Sequence, residues 1–283
     1  MRLVADIGGT NARLALARDG QVLDGTMRSF QNDDFDSFYS LAIGFLRQTS
    51  SELITEAVVA VAGPVWGKEA RLTNRDWGFE THEISERLEI GNAWLINDLT
   101  ALGYALPALG SNQIIPVCGS SGTAFAEAQS LVVGVGTGFN VCPVRHVGAD
   151  VCCLEAELGH VSLPASVVEM ARPVLGDVTG AFPTIEECFS GRGYKKVMAM
   201  GGTNGLYAGL LGALARDLTM TFLPRGGIFF NGGVSRSVLN SQDRVEFCKM
   251  FERPFELNPD FSVPVSVIKD DTVALLGCAR YTA

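Results

Sequence analysis

The chain lacks the sequence features of several large protein classes. No apolar run reaches the ~18 residues that cross a membrane, and the N-terminal stretch MRLVADIGGT carries a charge at Asp6 and no apolar segment of signal-peptide length. The 22 Lys and Arg residues are scattered, and the net charge is −9. These absences predict a cytoplasmic protein with no membrane partner and no nucleic-acid partner bound through a basic face.

Two kinds of short motif are also missing. The seven cysteines include no C-x-x-C pair, so we expect reduced thiols and no zinc. No G-x-x-x-x-G-K-[ST] stretch occurs, and no G-x-G-x-x-G opens a helix. The P-loop and Rossmann types of nucleotide site are therefore excluded.

The chain is long and rich in glycine. Its 283 residues exceed the ~250 at which a single hydrophobic core usually stops growing, so we expect two lobes, with a cleft between them as the natural ligand site. Hydrophobic residues make up 47% of the chain, and 32 residues are glycine. Strand and helix patterns alternate along the sequence, which predicts an α/β fold.

A strand, a glycine-threonine turn and a returning strand occur twice, at 4–16 and at 131–144. Backbone amides and a threonine hydroxyl at such a turn can bind phosphate, and Asp6 before the first turn could orient a hydrated cation. Each turn alone could equally be a structural hairpin. The internal repeat favours two phosphate-binding turns that serve one nucleotide.

The stretch WLINDLTALGYA, residues 94–105, changes abruptly from an apolar strand pattern to a helix pattern at Asn97-Asp98. An Asn or Asp at such a point is most often a helix N-cap. A carboxylate at the edge of an apolar core is costly unless it is paired, hydrogen-bonded or open to a site. Asp98 is therefore a candidate catalytic base, and the two interpretations are compatible if Asn97 caps the helix.

Other polar residues have weaker patterns. His160 is the one histidine beside carboxylates, in EAELGH, although a buried histidine bonded to a carbonyl is the alternative. A helix is predicted from Thr184, with Glu186 or its neighbour facing a site and Gly191 as the stop. A further helix is predicted at 81–88 with Thr81 as its cap. Trp77 is expected in the core.

Seven separated stretches now point to one family. This sequence resembles the bacterial glucokinases, within the hexokinase, actin and Hsp70 superfamily, in ADIGGTNARLAL, LTNRDW, INDLTALGYALP, VGVGTGF, ELGHVSLP, IEECFSG and FNGGV. The resemblance implies a two-lobed, actin-like ATPase (ribonuclease H-like) α/β fold. We expect a small α/β lobe at 1–108 plus 268–283 and a large α/β lobe at 109–267.

The resemblance also implies roles for individual residues. The residue that matches Asp98 is the base that deprotonates the sugar 6-hydroxyl. The implied sugar-binding residues are Asp98 together with Asn74, Asn97, Glu157, His160 and Glu186. The implied ATP-binding residues are Asp6, Gly8, Gly9, Thr10, Asn11, Gly136, Thr137, Gly138, Gly232 and Gly233. Asp6 is also expected to hold Mg²⁺, through water.

The expected protein is thus an ATP-dependent glucokinase, a magnesium-dependent transferase of carbohydrate metabolism and glycolysis, with a homodimer as one option for its assembly. The first alternative is a kinase of another hexose or of an amino sugar. The second is a regulator that binds sugar and has little catalytic activity. In a purely structural alternative, all of these polar residues would pack or cap.

The chain departs from the family pattern at three places. Leu158 and Asn140 each stand where glycine is common in the family. About 40 residues separate Ser190 from Gly232, which is fewer than the resemblance leads us to expect. We therefore predict that a helical segment of the large lobe is shortened.

Overall fold

A computed structural model describes residues 1–49, 52–72, 75–119, 128–148, 150–256, 258 and 261–283. The strands are β1 (Arg2–Ile7), β2 (Asn11–Arg18), β3 (Gln21–Val22), β4 (Arg28–Gln31), β5 (Glu56–Val61), β6 (Val65–Trp66), β7 (Glu69–Arg71), β8 (Gly78–Glu80), β9 (Asn92–Asn97), β10 (Ile114–Cys118), β11 (Ser130–Val135), β12 (Phe139–Val147), β13 (Asp150–Cys153), β14 (Gly227–Asn231) and β15 (Val265–Ile268). The α-helices are α1 (Phe38–Thr49), α2 (Thr81–Arg87), α3 (Asp98–Ala105), α4 (Ala165–Leu175), α5 (Val178–Ala181), α6 (Ile185–Phe189), α7 (Gly191–Ala199), α8 (Asn204–Phe222), α9 (Gly233–Leu239), α10 (Arg244–Phe251) and α11 (Val273–Arg280). Single 3-10 turns lie at Asn32–Asp34, Leu106–Ala108 and Leu158–His160.

The described residues form two compact units, each with its own hydrophobic core. The first unit contains Met1–Ala108 and Thr272–Ala283, and the second contains Leu109–Asp271. The identification of these units with the lobes of a kinase stays a prediction.

The main sheet of the first unit has the strand order β3-β2-β1-β5-β9, with β4 paired to β2. Strands β1, β5 and β9 are parallel, whereas β2 runs antiparallel to β1. The register places Ile7 opposite Val61, and Val61 opposite Asn97. The three parallel strands therefore end level, at one carboxyl edge of the sheet. A smaller sheet contains β6, β7 and β8.

The core of the first unit explains its sequence pattern. The central strands β1 and β5 are almost wholly buried, which is why they are continuous apolar runs. The aromatic face of α1 covers the sheet, with Phe38 and Phe45 nearly inaccessible. Trp77 is 6% exposed, which confirms its place in the core.

Helix α11 fixes the position of α3 in the first unit. The Arg2 guanidinium donates to the carbonyl oxygens of Cys278, Ala279 and Tyr281, which anchors the end of α11 on β1. The ring of Tyr281 packs edge-on against Tyr104 of α3, with 5.1 Å between centroids. A segment distant in sequence thus supports the helix that begins at Asp98.

The sheet of the second unit has the strand order β10-β15-β14-β11-β12-β13. Strands β11, β14 and β15 are parallel, and β12 runs antiparallel to β11. This arrangement repeats that of the first unit, where a hairpin is followed by parallel strands. The internal repeat predicted at 4–16 and 131–144 is therefore present as two hairpins of the same topology.

Two predicted helix boundaries are wrong. Thr81 lies inside α2, and the residue before the helix, Glu80, has no capping side-chain bond. Gly191 does not stop a helix, because α6 ends at Phe189 and Gly191 begins α7. The hydroxyl of Ser190 caps α7 by accepting from the N–H of Gly193 at 3.3 Å, which lets one helix follow another at once.

In the described parts of the chain, no helix combines the length and the apolar character needed to cross a membrane.

Candidate functional site

The first glycine turn joins β1 to β2 at the carboxyl edge of the first sheet. Gly8 donates its N–H to the carbonyl of Asn11 at 2.9 Å, which closes the turn directly after β1. Thr10 is exposed, and the other turn residues, including Gly9, are partly exposed. Exposed amides and a hydroxyl at the end of a strand are suited to bind an anion such as phosphate.

Asn32 holds this turn in place from outside it. Its backbone N–H donates to the carbonyl of Thr10 at 2.9 Å, and its side-chain amide donates to the carbonyl of Gly8 at 2.8 Å. Asn32 is completely buried. The carbonyl groups of Gly8 and Thr10 are thus both engaged, which fixes the shape of the turn.

Asp6 lies two residues before the turn and is 7% exposed. Its carboxylate is paired with the guanidinium of Arg13 on β2, at 3.0 Å. Arg13 lies directly across the hairpin, opposite Asp6 in the register. A buried carboxylate of this kind needs such a partner, so the hairpin itself supplies the countercharge for Asp6 beside the turn.

Asn97 and Asp98 lie where β9 passes into α3. The side-chain oxygen of Asn97 accepts the N–H of Leu99 at 2.9 Å, and its side-chain amide donates to the carbonyl of Gly63 at 3.1 Å. Asn97 is therefore the N-cap of α3, as the sequence predicts. Asp98 is the first residue of the helix, where the helix dipole favours a negative charge.

The strand register brings these groups to one edge of the first sheet. Ile7, Val61 and Asn97 lie side by side on neighbouring parallel strands. Neighbouring strands are about 4.8 Å apart, so the first turn and Asp98 follow strand ends separated by about 10 Å. The carboxyl edge of parallel strands is the usual place for a ligand in α/β sheets.

The second glycine turn joins β11 to β12 in the second unit. Gly136 donates its N–H to the carbonyl of Gly138 at 3.0 Å, and its own carbonyl accepts the N–H of Gly191 at 2.7 Å. The turn, whose tip is Thr137, is therefore bonded to the start of α7. It has the same position relative to its sheet as the first turn.

Gly232 and Gly233 follow β14 at the same carboxyl edge. Gly232 has a φ of +106°, and a Cβ on it would lie 2.5 Å from the carbonyl oxygen of Val135. Only glycine fits this close approach of two backbones. Arg236 in α9 ties the strand ends together, since it donates to Asn231 at 3.0 Å and pairs with Asp271.

Glu157 and His160 lie in the loop before α4. The imidazole Nδ1 of His160 is 3.6 Å from the Glu157 carboxylate, and both side chains are mostly exposed. The alternative of a buried structural histidine is therefore wrong. Asn140 on β12 supports this loop, because it donates to the carbonyl of Ala156 at 2.6 Å and accepts the N–H of Leu158 at 3.1 Å.

Glu186 is held against the second turn. One carboxylate oxygen accepts the N–H of Phe139 at 3.1 Å, and the other accepts the guanidinium of Arg192 at 2.8 Å. The N–H of Ile185 donates to the carbonyl of Val161 at 2.9 Å, which joins α6 to the loop of Glu157 and His160. The second unit thus brings three predicted sugar-binding residues to the neighbourhood of its glycine turn.

The structure leaves two predictions untested, the sugar ligand Asn74 and the Mg²⁺ site at Asp6. Asn74 lies outside the described residues. Among the residues that are described, no cluster of three or more His, Cys, Asp or Glu side chains could hold a metal ion by itself.

Sequence reasoning missed the side chains that support the site. Asn32, Arg192 and Arg236 were not selected, because each belongs to no recognisable short motif. The bond from Asn32 also spans a large separation, 24 positions along the chain from the turn residue Gly8 that it holds. Among these supporting contacts, only the pairing of Arg13 with Asp6 could be predicted from the sequence. Residues that face each other in a tight hairpin are found by counting outward from the turn.

Comparisons with known proteins place the chain in a family. The glucokinase family model matches residues 3–203 and 195–283. The chain is 29% identical to a glucokinase of Caulobacter vibrioides over 314 aligned positions, which cover 98% of the chain and 93% of the relative. It is 31% identical to a glucokinase of Xanthomonas euvesicatoria over 316 positions, which cover 99% and 94%.

A solved structure gives the same result. The crystal structure of a glucokinase from an Antarctic psychrotroph matches with a TM-score of 0.80 at 27% identity, covering 99% of this chain and 97% of that one. This match confirms the expected α/β fold of the actin-like ATPase type. Since the family model spans nearly the whole chain, this protein belongs to the glucokinase family.

Proposed function

We propose that this protein transfers the γ-phosphoryl group of ATP to the 6-hydroxyl of glucose, with Asp98 as the general base. The observation that carries the proposal is the level ending of β1 and β9, which puts an anion-binding turn and Asp98 at one sheet edge. Phosphoryl transfer requires such an arrangement, because its catalysis consists mainly of alignment and charge stabilisation.

The proposed sugar ligands are Asn97, Asp98, Glu157, His160 and Glu186. Carboxylates accept hydrogen bonds from sugar hydroxyls, whereas an amide and an imidazole can also donate. A sugar that lacks one hydroxyl leaves a ligand unpaired, which is a strong source of selectivity.

The phosphates of ATP would be bound by the amides of the two glycine turns, 8–11 and 136–138, with Gly232 and Gly233 against the adenosine. Mg²⁺ that is held chiefly by phosphate oxygens and water needs only one or two carboxylates. Asp6 fits this requirement, because it lies beside the first turn and Arg13 keeps its charge compensated. Bound Mg²⁺ would supply charge neutralisation at the phosphates, with Asp6 orienting its water.

Asp98 takes the proton from the attacking hydroxyl in this proposal. Its Oδ1 accepts the N–H of Leu99 at 2.9 Å, which fixes the carboxylate at the start of α3. Asn97 holds the same N–H and the carbonyl of Gly63, so the helix start is rigid. General-base catalysis of this kind typically contributes ~10² to 10⁴ in rate.

A coupled assay of Asp98→Asn tests the mechanism. Wild type should phosphorylate glucose in preference to mannose, fructose, N-acetylglucosamine and N-acetylmannosamine. The variant should lose at least ~10² in kcat while its KM for glucose changes little, because a base acts in the transition state. Asn can keep the hydrogen bond to Leu99, so thermal unfolding should be almost unchanged.

Two results would contradict this proposal. Full activity in the Asp98→Asn variant would exclude the general base, and a stronger preference for another hexose or an amino sugar would change the substrate. Glu86→Gln is a suitable control for charge removal, because its side chain is 72% exposed on α2 and lies 4.0 Å from His82. It should keep the wild-type kcat.

A sugar-binding regulator is the second candidate, and the shortened segment favours it. The two matches of the family model overlap at residues 195–203. The alignment with the Caulobacter relative is longer than this chain, so that relative carries residues with no counterpart here. At this point α7 ends at Ala199 and α8 begins at Asn204, with Thr203 capping α8 through the N–H of Leu206 at 3.1 Å. The short connection is a well-formed turn.

Calorimetry with glucose and with ATP, each alone, separates the two candidates. A kinase binds both ligands. Glucose binding without measurable nucleotide binding or turnover would support the regulator and contradict the kinase.

A further inference from the structure

Arg192 is a charged residue beside the proposed sugar ligand Glu186, and the proposed function gives it no role. It is the second residue of α7, and its side chain is 71% exposed. Its Nη2 donates to Glu186 at 2.8 Å. A guanidinium has five N–H donors, so most of them remain directed at solvent.

The surroundings of the pair limit where a ligand can lie. Glu186 is 25% exposed in its side chain, and its second oxygen is bound by the N–H of Phe139. A Cβ on Gly138 would lie 2.7 Å from that carboxylate, so the pair directly adjoins the second turn. Gly191, next to Arg192, is itself bonded to this turn at Gly136.

The pair also has a distinct chemistry. The proposed sugar ligands of the second unit are two carboxylates and one imidazole, so acceptors exceed donors. A sugar hydroxyl both donates and accepts, and a carboxylate beside a guanidinium can satisfy both functions at once. The net charge of a Glu-Arg pair is zero, which suits a neutral hydroxyl and does not favour an anionic sugar.

We propose that Arg192 is a specificity-determining residue that contacts the sugar, and that Arg192 and Glu186 together recognise one hydroxyl of a neutral hexose. Glu186 accepts a hydrogen bond from that hydroxyl, and Arg192 donates a hydrogen bond to its oxygen. This inference rests on the proposed function for the identity of the site. A phosphate of the nucleotide is the competing ligand for Arg192, because the second turn is adjacent.

The test is calorimetric binding of glucose and of its 1-, 2-, 3- and 4-deoxy analogues, without nucleotide, to wild type and Arg192→Ala. Loss of a charged hydrogen bond should weaken glucose binding about tenfold. For the one analogue that lacks the recognised hydroxyl, the two proteins should bind equally. Arg192→Lys keeps the charge but not the planar fork, so it should fall between them.

Arg172→Ala is the matched control, since this arginine is exposed on α4 of the same unit. It should bind every sugar as wild type does. The inference is overturned if Arg192→Ala weakens all analogues by the same factor, which indicates only support of Glu186. It is also overturned if glucose affinity is unchanged, or if only the affinity for ATP falls.

The same measurements keep the inference and the proposed function apart. If wild type binds glucose but phosphorylates no hexose, the proposed function fails, and the deoxy series still decides the role of Arg192. If wild type phosphorylates glucose and the deoxy series shows a uniform loss, only the inference fails. If wild type binds no hexose at all, both fail.

Discussion

The side-chain oxygen of Asn140 accepts a hydrogen bond from the backbone N–H of Leu158 at 3.1 Å. The amide group of the same side chain donates to the carbonyl of Ala156 at 2.6 Å. One side chain thus holds the backbone on both sides of Glu157. Positions 140 and 158 are the two at which the family resemblance leads us to expect glycine, and in this protein the two residues are in contact.

Asn140→Ala should therefore disturb the sugar site and leave the nucleotide site intact. Without the two bonds, the backbone at Glu157 is less well ordered, and we expect the KM for glucose to rise about tenfold. The KM for ATP should rise less, because the hydrogen bonds that hold the second turn, from Gly136 to Gly138 and from Gly191 to Gly136, stay in place. Steady-state kinetics with each substrate varied in turn measures both values.

Arg145→Ala, on the exposed face of the same strand, is the control for the Asn140 variant. It should leave both KM values unchanged. An equal rise of both KM values in Asn140→Ala would indicate general damage to the second unit and contradict the specific role.

Asn97→Ala should reduce both stability and sugar affinity, because Asn97 caps α3 and is a proposed sugar ligand. Loss of an N-cap typically costs about 0.5–2 kcal/mol in the free energy of unfolding. Asn97→Asp keeps the oxygen that accepts from Leu99 but loses the donor to Gly63. Urea unfolding should give the highest free energy of unfolding for wild type, a lower value for Asn97→Asp and the lowest for Asn97→Ala. An Asn97→Asp variant less stable than Asn97→Ala would contradict the role of Asn97 as the N-cap.

Asn32→Ala should weaken nucleotide binding more than sugar binding. The substitution leaves the carbonyl of Gly8 without the bond from the Asn32 side chain, and a buried unsatisfied group costs about 1–3 kcal/mol of stability. The first turn then loses its fixed shape, so the KM for ATP should rise. Asp34→Ala, two residues away and exposed, is the control. A higher KM for glucose alone would contradict this prediction.

Gly232→Ala and Gly233→Ala form a matched pair of neighbours. At Gly232 the φ of +106° and the contact with Val135 make any side chain strained, at a cost of about 1–3 kcal/mol or more. A Cβ on Gly233 meets no atom within 4 Å. Thermal unfolding should show loss of stability in the first variant only, and equal stability of the two variants would contradict the structure.

The contact between Tyr39 and Glu83 predicts a pH dependence of stability. The Tyr39 hydroxyl donates to Glu83 at 2.6 Å, and this bond, followed by the bond from Arg87, lowers the pKa of Glu83 below its ordinary value of 4.5. Burial, followed by the same bond, raises the pKa of Tyr39 above its ordinary value of 10.0. The pair therefore stabilises the fold above pH 4.5, and this contribution is lost as the pH falls through the folded pKa of Glu83.

Thermal unfolding of Tyr39→Phe checks this prediction. The variant should melt below wild type at pH 7, and the difference should shrink at pH 3. Glu86→Gln, on the same helix with only a 4.0 Å contact to His82, should show no such pH-dependent difference. A difference for Tyr39→Phe that is constant from pH 3 to pH 7 would show that the stabilisation comes from packing alone.

Much of the fold could be predicted, because the hydrophobic pattern of a segment agrees with its position in the folded protein. The apolar runs of β1 and β5 are buried on both faces, and a run of this kind has no other stable position. The predicted helix boundaries at Thr81 and Gly191 were wrong, because neighbouring residues can also start or end a helix. Gly191 follows Ser190, whose hydroxyl starts a new helix, and a glycine stop signal alone does not contain that information.

The sequence alone determined the α/β class, the two glycine turns, the change from strand to helix at Asn97-Asp98 and the family resemblance, since each depends on residues that are close along the chain. Only the tertiary structure decided which distant side chains support the site. Asn32 reaches the first turn, Asn140 holds the loop of Glu157, and Arg192 pairs with Glu186, because folding brings separate strand ends to one edge of a sheet. Hydrogen bonds of this kind depend on distance in space, which no spacing along the sequence encodes.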